Sequence, residues 1–483
     1  MKDIIQQLFK NVQCHWPTST KIAENSVRLD APFYSNVAES ARISLSSCSL
    51  PTSNLSEIAK VFALSDFSLG RIPADEAHGV PFYTFSDILE HDPSPTMFLS
   101  KKHEPNLQNY IVQEGWILLS RAGTIGNTFM VGPELAGVAV ANHAIRIVPY
   151  DSALGALIYV LIRSQLGQQI IGSLMYGAVV DVIKPAQLEN VLIPIPSKRI
   201  MDEIEARVRG AVLARTNAIR LNRQADKMLH KSNALQQLRT QSTEVCSDVF
   251  QPTTFKVLSK SVWLADSDAH EFRLDAHYYN PTAALAVSNI KKCPSNIKTI
   301  KEVANVFMGP RFKRNYVESA HGVPFLSGKN IVQIRPALKH LSNLQMAYMQ
   351  ELIVKRGWSL VTCSGTIGRT CFVWDNYEEF AASQHILRVM PIDTEIDPAY
   401  LNAFLASRYG YEQILRFRYG SVIDEITDKQ IGQVLVPCPS RKEQETIGDM
   451  VRKAYESRAE AIRLEDEAQE ILNKELQALP EGR

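Results

Sequence analysis

The sequence predicts an α+β chain made of two tandem copies of one mixed α/β domain, each followed by a long helix, with the two helices pairing. Three observations carry this: blocks that return in the same order in the second half, strand-like runs mixed with helical periodicity in each half, and a matched heptad pattern after each. The length agrees, since 483 residues exceed one typical core.

The duplication comes first. "VRLDAPFYS" from Val27 returns as "FRLDAHYYN" from Phe272, and "AHGVPF" occurs at Ala77 and Ala320. "EGWILLS" from Glu114 matches "RGWSLVT" from Arg356, and "RAGTIGNTFMV" from Arg121 matches "CSGTIGRTCFV" from Cys363. "NHAIRIVP" from Asn142 matches "QHILRVMP" from Gln384, and "YGAVVDVIKPAQLENVLIPIPS" from Tyr176 returns as "YGSVIDEITDKQIGQVLVPCPS" from Tyr419. The period is far longer than that of a solenoid repeat, so the unit is a domain.

Within a half, "WILLS", "NTFMVG" and "AIRIVP" are short, β-branched or aromatic, and bounded by Gly or Pro, as strands are. "SALGALIYVLIRSQLGQQIIGSL" from Ser152 and "DPAYLNAFLASRYGYEQIL" from Asp397 carry apolar residues at helical spacing. The prolines of "IPIP" and "VPCP" predict an extended exit from each globular part.

A long helix follows each exit. Its small and apolar seats fall at Ile204, Val208, Ala211, Ala218, Ala225 and Leu229, and again at Ile447, Val451, Ala454, Ala461, Ala468 and Leu472. Arg215 and Asn222, then Arg458 and Glu465, fill the remaining heptad seats. The alternating spacing of four and three is a coiled-coil seam in which alanines allow close approach and polar seats fix register. The expected organisation is a globular domain over 1–198, a helix over 199–240, a linker and second domain over 241–441, and a helix over 442–483.

Composition narrows the function classes. The apolar and charged fractions, 45% and 21%, are those of an ordinary globular protein, and a net charge of +1 excludes coating of nucleic acid by bulk charge but not a local basic groove. No apolar run of about 18 residues predicts a membrane span, and "MKDIIQQLFKNVQ" lacks a signal-peptide core. Seven cysteines without a CxxC pair point to reduced thiols and a cytoplasmic location.

Catalytic patterns are missing. "AGTIGNT" and "SGTIGRT" lack the length and lysine of a phosphate-binding P-loop, so the expected role of the glycine corner is a tight scaffold turn. No N/D-P-P-Y/F tetrapeptide occurs, and no lysine has Asp or Glu two places before it, as a metal-dependent nuclease would need. The recurrent His78/His321 and His143/His385 have no second ligand at metal spacing and are expected to make structural hydrogen bonds. Asp30 fits a helix cap in "RLDA", with Asp275 its counterpart. The sequence thus predicts no catalytic residue and no metal site.

Two mixed halves, each with a Gly-Thr-Ile-Gly corner, an "IPIP"-type exit and a long helix, resemble the specificity subunit of a type I restriction-modification system. "HGVPFLSGKNI" is similar to that family's "PFIRxGDI"-like hairpin, and "VLVPCPSRKEQETI" to its "IPLPPLxEQxxI" junction; "LIPIPSKRIMDEI" departs from the junction by lacking the Glu-Gln pair. The resemblance covers nearly the whole chain. It implies two target recognition domains, an antiparallel coiled coil between them, and a bipartite, asymmetric duplex DNA site with one half read by each repeat. It also implies DNA adenine methyltransferase subunits and a restriction endonuclease/translocase subunit as partners. S-adenosylmethionine, ATP and Mg would sit on those partners, with no cofactor on this chain. A helix of about 30 residues spans about 45 Å, which suits half-sites roughly one turn of B-DNA apart.

If the halves read different half-sites, scaffold blocks should match while reading loops diverge. "SDFSLGRIPAD" from Ser65 is unlike "GPRFKRNYVES" from Gly309, and "LEHDPSPTMFLSKKHEPNLQNY" from Leu89 is unlike "VQIRPALKHLSNLQMAYMQEL" from Val332. These stretches supply the expected DNA contacts Arg71, Lys101, Lys102, His103, Arg311, Lys313, Arg314 and Lys339, joined by Lys329 and Asn330 of the hairpin-like block. Two other classes fit the residues: a duplicated scaffold for a peptide or RNA, and an enzyme with a site between the halves.

Overall fold

The computed structural model describes residues 35–46, 48–64, 71–176, 181–236, 238, 277–392 and 394–477. Asp30, Asp275 and most of the expected linker lie outside the described residues. The chain divides into two compact units, one formed by residues 1–216 with 460–483 and the other by residues 217–459.

In the first unit a four-stranded antiparallel sheet runs in the order Ala59–Ala63, Ala144–Pro149, Ile117–Ser120, Thr128–Met130. A smaller sheet runs Pro73–Ala74, Met97–Ser100, Gly79–Tyr83, Ala139–Val140, its last pair parallel. The second unit repeats both. Its larger sheet runs Ala304–Met308, Ile386–Pro391, Ser359–Thr362, Thr370–Phe372, and its smaller one Tyr316–Val317, Lys339–Ser342, Gly322–Leu326, Ala381–Ala382. The strands expected from "WILLS", "NTFMVG" and "AIRIVP" are all present. All four residues of Ile117–Ser120 are buried, which explains an unbroken apolar run where a half-buried strand would alternate.

Each helical stretch is two helices, not one. Ser152–Arg163 stops at Ser164, whose extended backbone and hydroxyl start Gln165–Leu174 by accepting the Gly167 N–H at 2.9 Å. Pro398–Ala406 and Arg408–Arg416 are joined in the same way by Ser407. The corner is so tight that a Cβ at Gly167 would lie 2.0 Å from the Leu161 carbonyl, and one at Gly410 2.3 Å from that of Phe404. The proline exits form strands that pair antiparallel with the entering chain, Leu192–Pro194 with Thr52–Asn54 and Leu435–Cys438 with Asn296–Thr299.

The long helices are Lys198–Ser232 and Arg441–Gln477. At about 1.5 Å per residue, the 35 residues of the first span about 52 Å. It ends where Asn233 caps the Leu229 carbonyl at 2.9 Å and Ala234 turns left-handed at φ 50°. The helices pack antiparallel. In the first unit Ile204, Val208 and Val212 share a core with Ala468 and Leu472, and Arg207 pairs with Glu467 at 3.6 Å. In the second unit Ala225 and Leu229 share a core with Ile447 and Val451, and Asn217 donates to Ser457 at 2.9 Å. All twelve apolar or small seats named from the sequence are buried.

Candidate nucleic-acid interface

The smaller sheet of each unit carries the basic residues, and its edge strand is short. Arg71 precedes Pro73–Ala74 and Arg314 precedes Tyr316–Val317. Their loops share no sequence pattern, yet the two arginines are held alike. The Arg71 guanidinium lies over the Phe82 ring at 4.4 Å and donates to Asn142 Oδ1 at 3.4 Å. The Arg314 guanidinium lies over the Phe325 ring at 5.2 Å and donates to Gln384 Oε1 at 3.1 Å. Phe82 and Phe325 are the phenylalanines of the repeated "HGVPF"; Asn142 and Gln384 directly precede the repeated histidines.

Backbone ties place both loops equivalently. Ser100 N donates to the Ile72 carbonyl at 2.9 Å and Ser342 N to that of Asn315 at 3.0 Å. The Ile72 N–H donates to Glu104 Oε2 at 2.6 Å, and the Asn315 N–H to Gln345 Oε1 at 3.2 Å. Glu104 is buried, a carboxylate spent on loop geometry.

Around these arginines the other basic residues are distributed differently in the two units. Lys101, Lys102 and His103 stand exposed on the turn after Met97–Ser100, with Lys101 N bonded to the His78 carbonyl and His103 N to Ser100 Oγ. Arg311 and Lys313 are exposed in the run leading to Arg314, whereas Lys339 lies on the neighbouring strand with its ammonium 4.9 Å from the Tyr316 ring. Lys329 is exposed on the turn after Gly322–Leu326. Asn330, expected as a base reader, spends its Oδ1 on that turn, accepting from Ser327 N at 3.0 Å and Ser327 Oγ at 2.6 Å.

The glycine corner is the turn between Ile117–Ser120 and Thr128–Met130, and between Ser359–Thr362 and Thr370–Phe372 in the second unit. Gly123 and Gly126 have φ 74° and 93°, Gly365 and Gly368 φ 75° and 83°, all in the left-handed region that side chains disfavour. The turn is closed from within, by Ser120 Oγ donating to the Thr124 carbonyl at 2.7 Å and by Thr362 Oγ1 donating to that of Thr366 at 2.6 Å. On one side it adjoins the histidine step, through Arg121 N to the His143 carbonyl and Cys363 N to that of His385, each 3.0 Å. On the other it bridges the "YGSVID" segment through Ser364 and Glu425, where Val422 and Ile423 are exposed.

Among the histidines, His78 binds Asp75 at 2.8 Å on the surface. The His78 backbone N–H and then its ring hold the Asp75 carboxyl below its ordinary value. The His385 ring lies 3.0 Å from Gln384 Nε2. Among the described residues no group of three or more His, Cys, Asp or Glu converges as a metal set, and no helix is long and apolar enough to cross a membrane.

Sequence reasoning missed two further arginines. Arg146 and Arg388, inside "AIRI" and "ILRV", are fully buried. Arg146 donates to the Ala144 and Val140 carbonyls at 3.0 and 2.7 Å. Arg388 donates to the carbonyls of Ser383, Ile386 and Ala382 at 3.0, 2.7 and 2.5 Å. Each guanidinium thereby ties the larger sheet to the parallel strand of the smaller one. Burial pushes both down to about 10, so they stay charged at neutral pH. Their recurrence at one position of a predicted strand was the available signal.

Two copies of one α/β domain, each presenting a pinned arginine among exposed basic residues and joined to one of two paired helices, define a duplicated recognition scaffold. A family model described as the type I restriction modification DNA specificity domain matches residues 52–208 and again 294–467. The chain belongs to this family of DNA specificity domains. Solved structures similar to it include the type I restriction-modification system S subunit from M. genitalium, at 11% identity and TM-score 0.34, covering 90% of this chain and 98% of that one. The HsdS subunit from Thermoanaerobacter tengcongensis matches at 15% identity and TM-score 0.27, covering 89% and 96%. A chain from a study of complex assembly and conformational transition of the type I R-M system matches at 17% and 0.27, covering 89% and 99%. No protein of curated function matches the sequence.

Proposed function

We propose that this chain is the address-giving subunit of a type I restriction-modification complex and reads a bipartite, asymmetric duplex DNA site, one half per repeat. The observation that carries the reading is the recurrence of the Arg71 and Arg314 arrangement on equivalent edges of two domains whose surrounding loops differ. Common scaffold with different basic surroundings is what reading two unlike half-sites requires. The paired helices fix the separation of the half-sites, and their outward faces dock DNA adenine methyltransferase subunits. A restriction endonuclease/translocase subunit joins that assembly in the cytoplasm. S-adenosylmethionine, ATP and Mg bind those partners; this chain supplies address and no chemistry.

Binding by the full-length chain, co-purified with its host's methyltransferase subunit, tests the reading. Affinity for duplexes carrying the methylated motif should exceed that for scrambled duplexes by on the order of a thousandfold, and should fall steeply with salt. Equal affinity for scrambled duplex, or preference for RNA or peptide, would contradict it. Methyl transfer or cleavage by the chain alone would favour an enzyme instead.

A further inference from the structure

We propose that Arg71 and Arg314 are the base-reading side chains of their domains, each contacting the O6/N7 edge of a guanine in its own half-site, with Asn142 and Gln384 as the positioning residues that aim them. The inference rests on the DNA-addressing reading above and goes beyond it by naming the reading atoms and the base.

A phosphate contact needs positive charge near the backbone but little direction, and a lysine on a flexible stem serves it well. Base readout needs a fork held in a set orientation. Among the basic residues of the two surfaces, Arg71 and Arg314 are the pair held from two sides in matching fashion. In each, an aromatic ring lies beneath the guanidinium and an amide oxygen takes one Nη2 hydrogen. That leaves most of the fork to donate outward, and guanine offers two adjacent acceptors on its major-groove edge. The pinning also removes rotamer freedom before DNA arrives, so less is lost on binding.

The amides differ by one methylene, Asn142 in the first domain and Gln384 in the second. Gln384 is itself held by the His385 ring at 3.0 Å, and Asn142 is buried. The device is therefore common to both domains while its reach is set separately in each. The ring, the amide oxygen and the loop anchors recur together in both copies.

The test is methylome sequencing of host cells in which full-length Arg71→Ala, Arg314→Ala, Asn142→Ala or Arg71→Lys replaces the wild-type chain beside its native methyltransferase. Arg71→Ala should make the motif degenerate at one G·C pair of one half-site, with discrimination there reduced on the order of tenfold or more. Arg314→Ala should do the same in the other half. Asn142→Ala should loosen the same pair as Arg71→Ala, more mildly. The untouched half-site reports within the same molecule that the chain is folded and assembled.

If Arg71→Lys keeps the full motif while Arg71→Ala lowers methylation at all sites without changing it, the arginine contacts phosphate and the inference is overturned. Retention of both half-sites by Arg71→Ala and Arg314→Ala overturns it equally. If the wild-type chain itself imposes no motif, the DNA-addressing reading fails first, which is a separate outcome.

Discussion

The Tyr159 hydroxyl donates a 2.7 Å hydrogen bond to Glu465 Oε1, joining a helix of the first recognition domain to the second long helix. Arg163 reaches the other carboxylate oxygen at 2.8 Å, and Arg215 reaches Oε1 at 3.1 Å. Burial alone would push both arginines down, but Tyr159 and then Glu465 outweigh it and leave them above the ordinary value. Arg215 and Glu465 are two of the four polar heptad seats, and they meet in this cluster.

Replacing Glu465 by Ala strands two guanidinium groups in a low-dielectric site. The expected loss is about 3–5 kcal/mol, read from urea unfolding of the full-length chain. A loss below about 1 kcal/mol would show that the cluster is solvated and does not hold the helix to the domain.

The buried arginines give a second expectation. Arg388→Ala uncovers the carbonyls of Ser383, Ile386 and Ala382 inside the protein, each costing about 1–3 kcal/mol when left unmade. Limited proteolysis should then cut the second unit at protease levels that leave the first intact. Unchanged resistance would mean that the two sheets hold together without this tie.

Gly368 combines φ 83° with a space already filled, since an added Cβ would lie 2.9 Å from the Tyr411 ring. Gly368→Ala should cost about 1–3 kcal/mol, and Gly126→Ala a similar amount against Gln168. Thermal unfolding checks this; an unshifted midpoint would show that the corner tolerates a side chain. A phosphate-binding role would instead predict lost ligand affinity with stability intact.

Burial pushes the Cys371 thiol up to about 11. A folded-state value above the unfolded one means that the thiol's contribution is complete below about pH 8.5–9 and is lost as pH rises toward 11. The stability difference between wild type and Cys371→Ala should therefore shrink between pH 8 and pH 10.5 in matched urea titrations. A difference that stays constant would place the thiol in contact with water.

What could be read in the sequence was whatever repeats locally. The heptad seats from Ile204 to Leu229 and from Ile447 to Leu472 are close-range patterns on single helices, and all twelve apolar or small seats are buried. The strands of the larger sheet declared themselves through β-branched runs. The parallel pairing of Gly79–Tyr83 with Ala139–Val140 did not, because it joins segments far apart in the chain with only two residues on the second strand. The break at Ser164 was hidden in a continuous helical period, although a Ser three residues before a Gly marks it in both copies.

The candidate surface was legible in outline only. Arg71 and Arg314 emerged from the divergence of their loops, but their equivalence rests on Asn142 and Gln384, about 70 residues away in each case. The histidines are the visible repeat, while the amide before each makes the contact. An asparagine can read adenine, but local turn geometry claims the Asn330 oxygen first.

If this chain addresses a DNA methyltransferase, as proposed, the most direct measurement is the host methylome with and without its gene, the methyltransferase subunit being expressed in both. Loss of adenine methylation at a single bipartite, asymmetric motif, with other motifs untouched, is expected. Identical methylomes would contradict it.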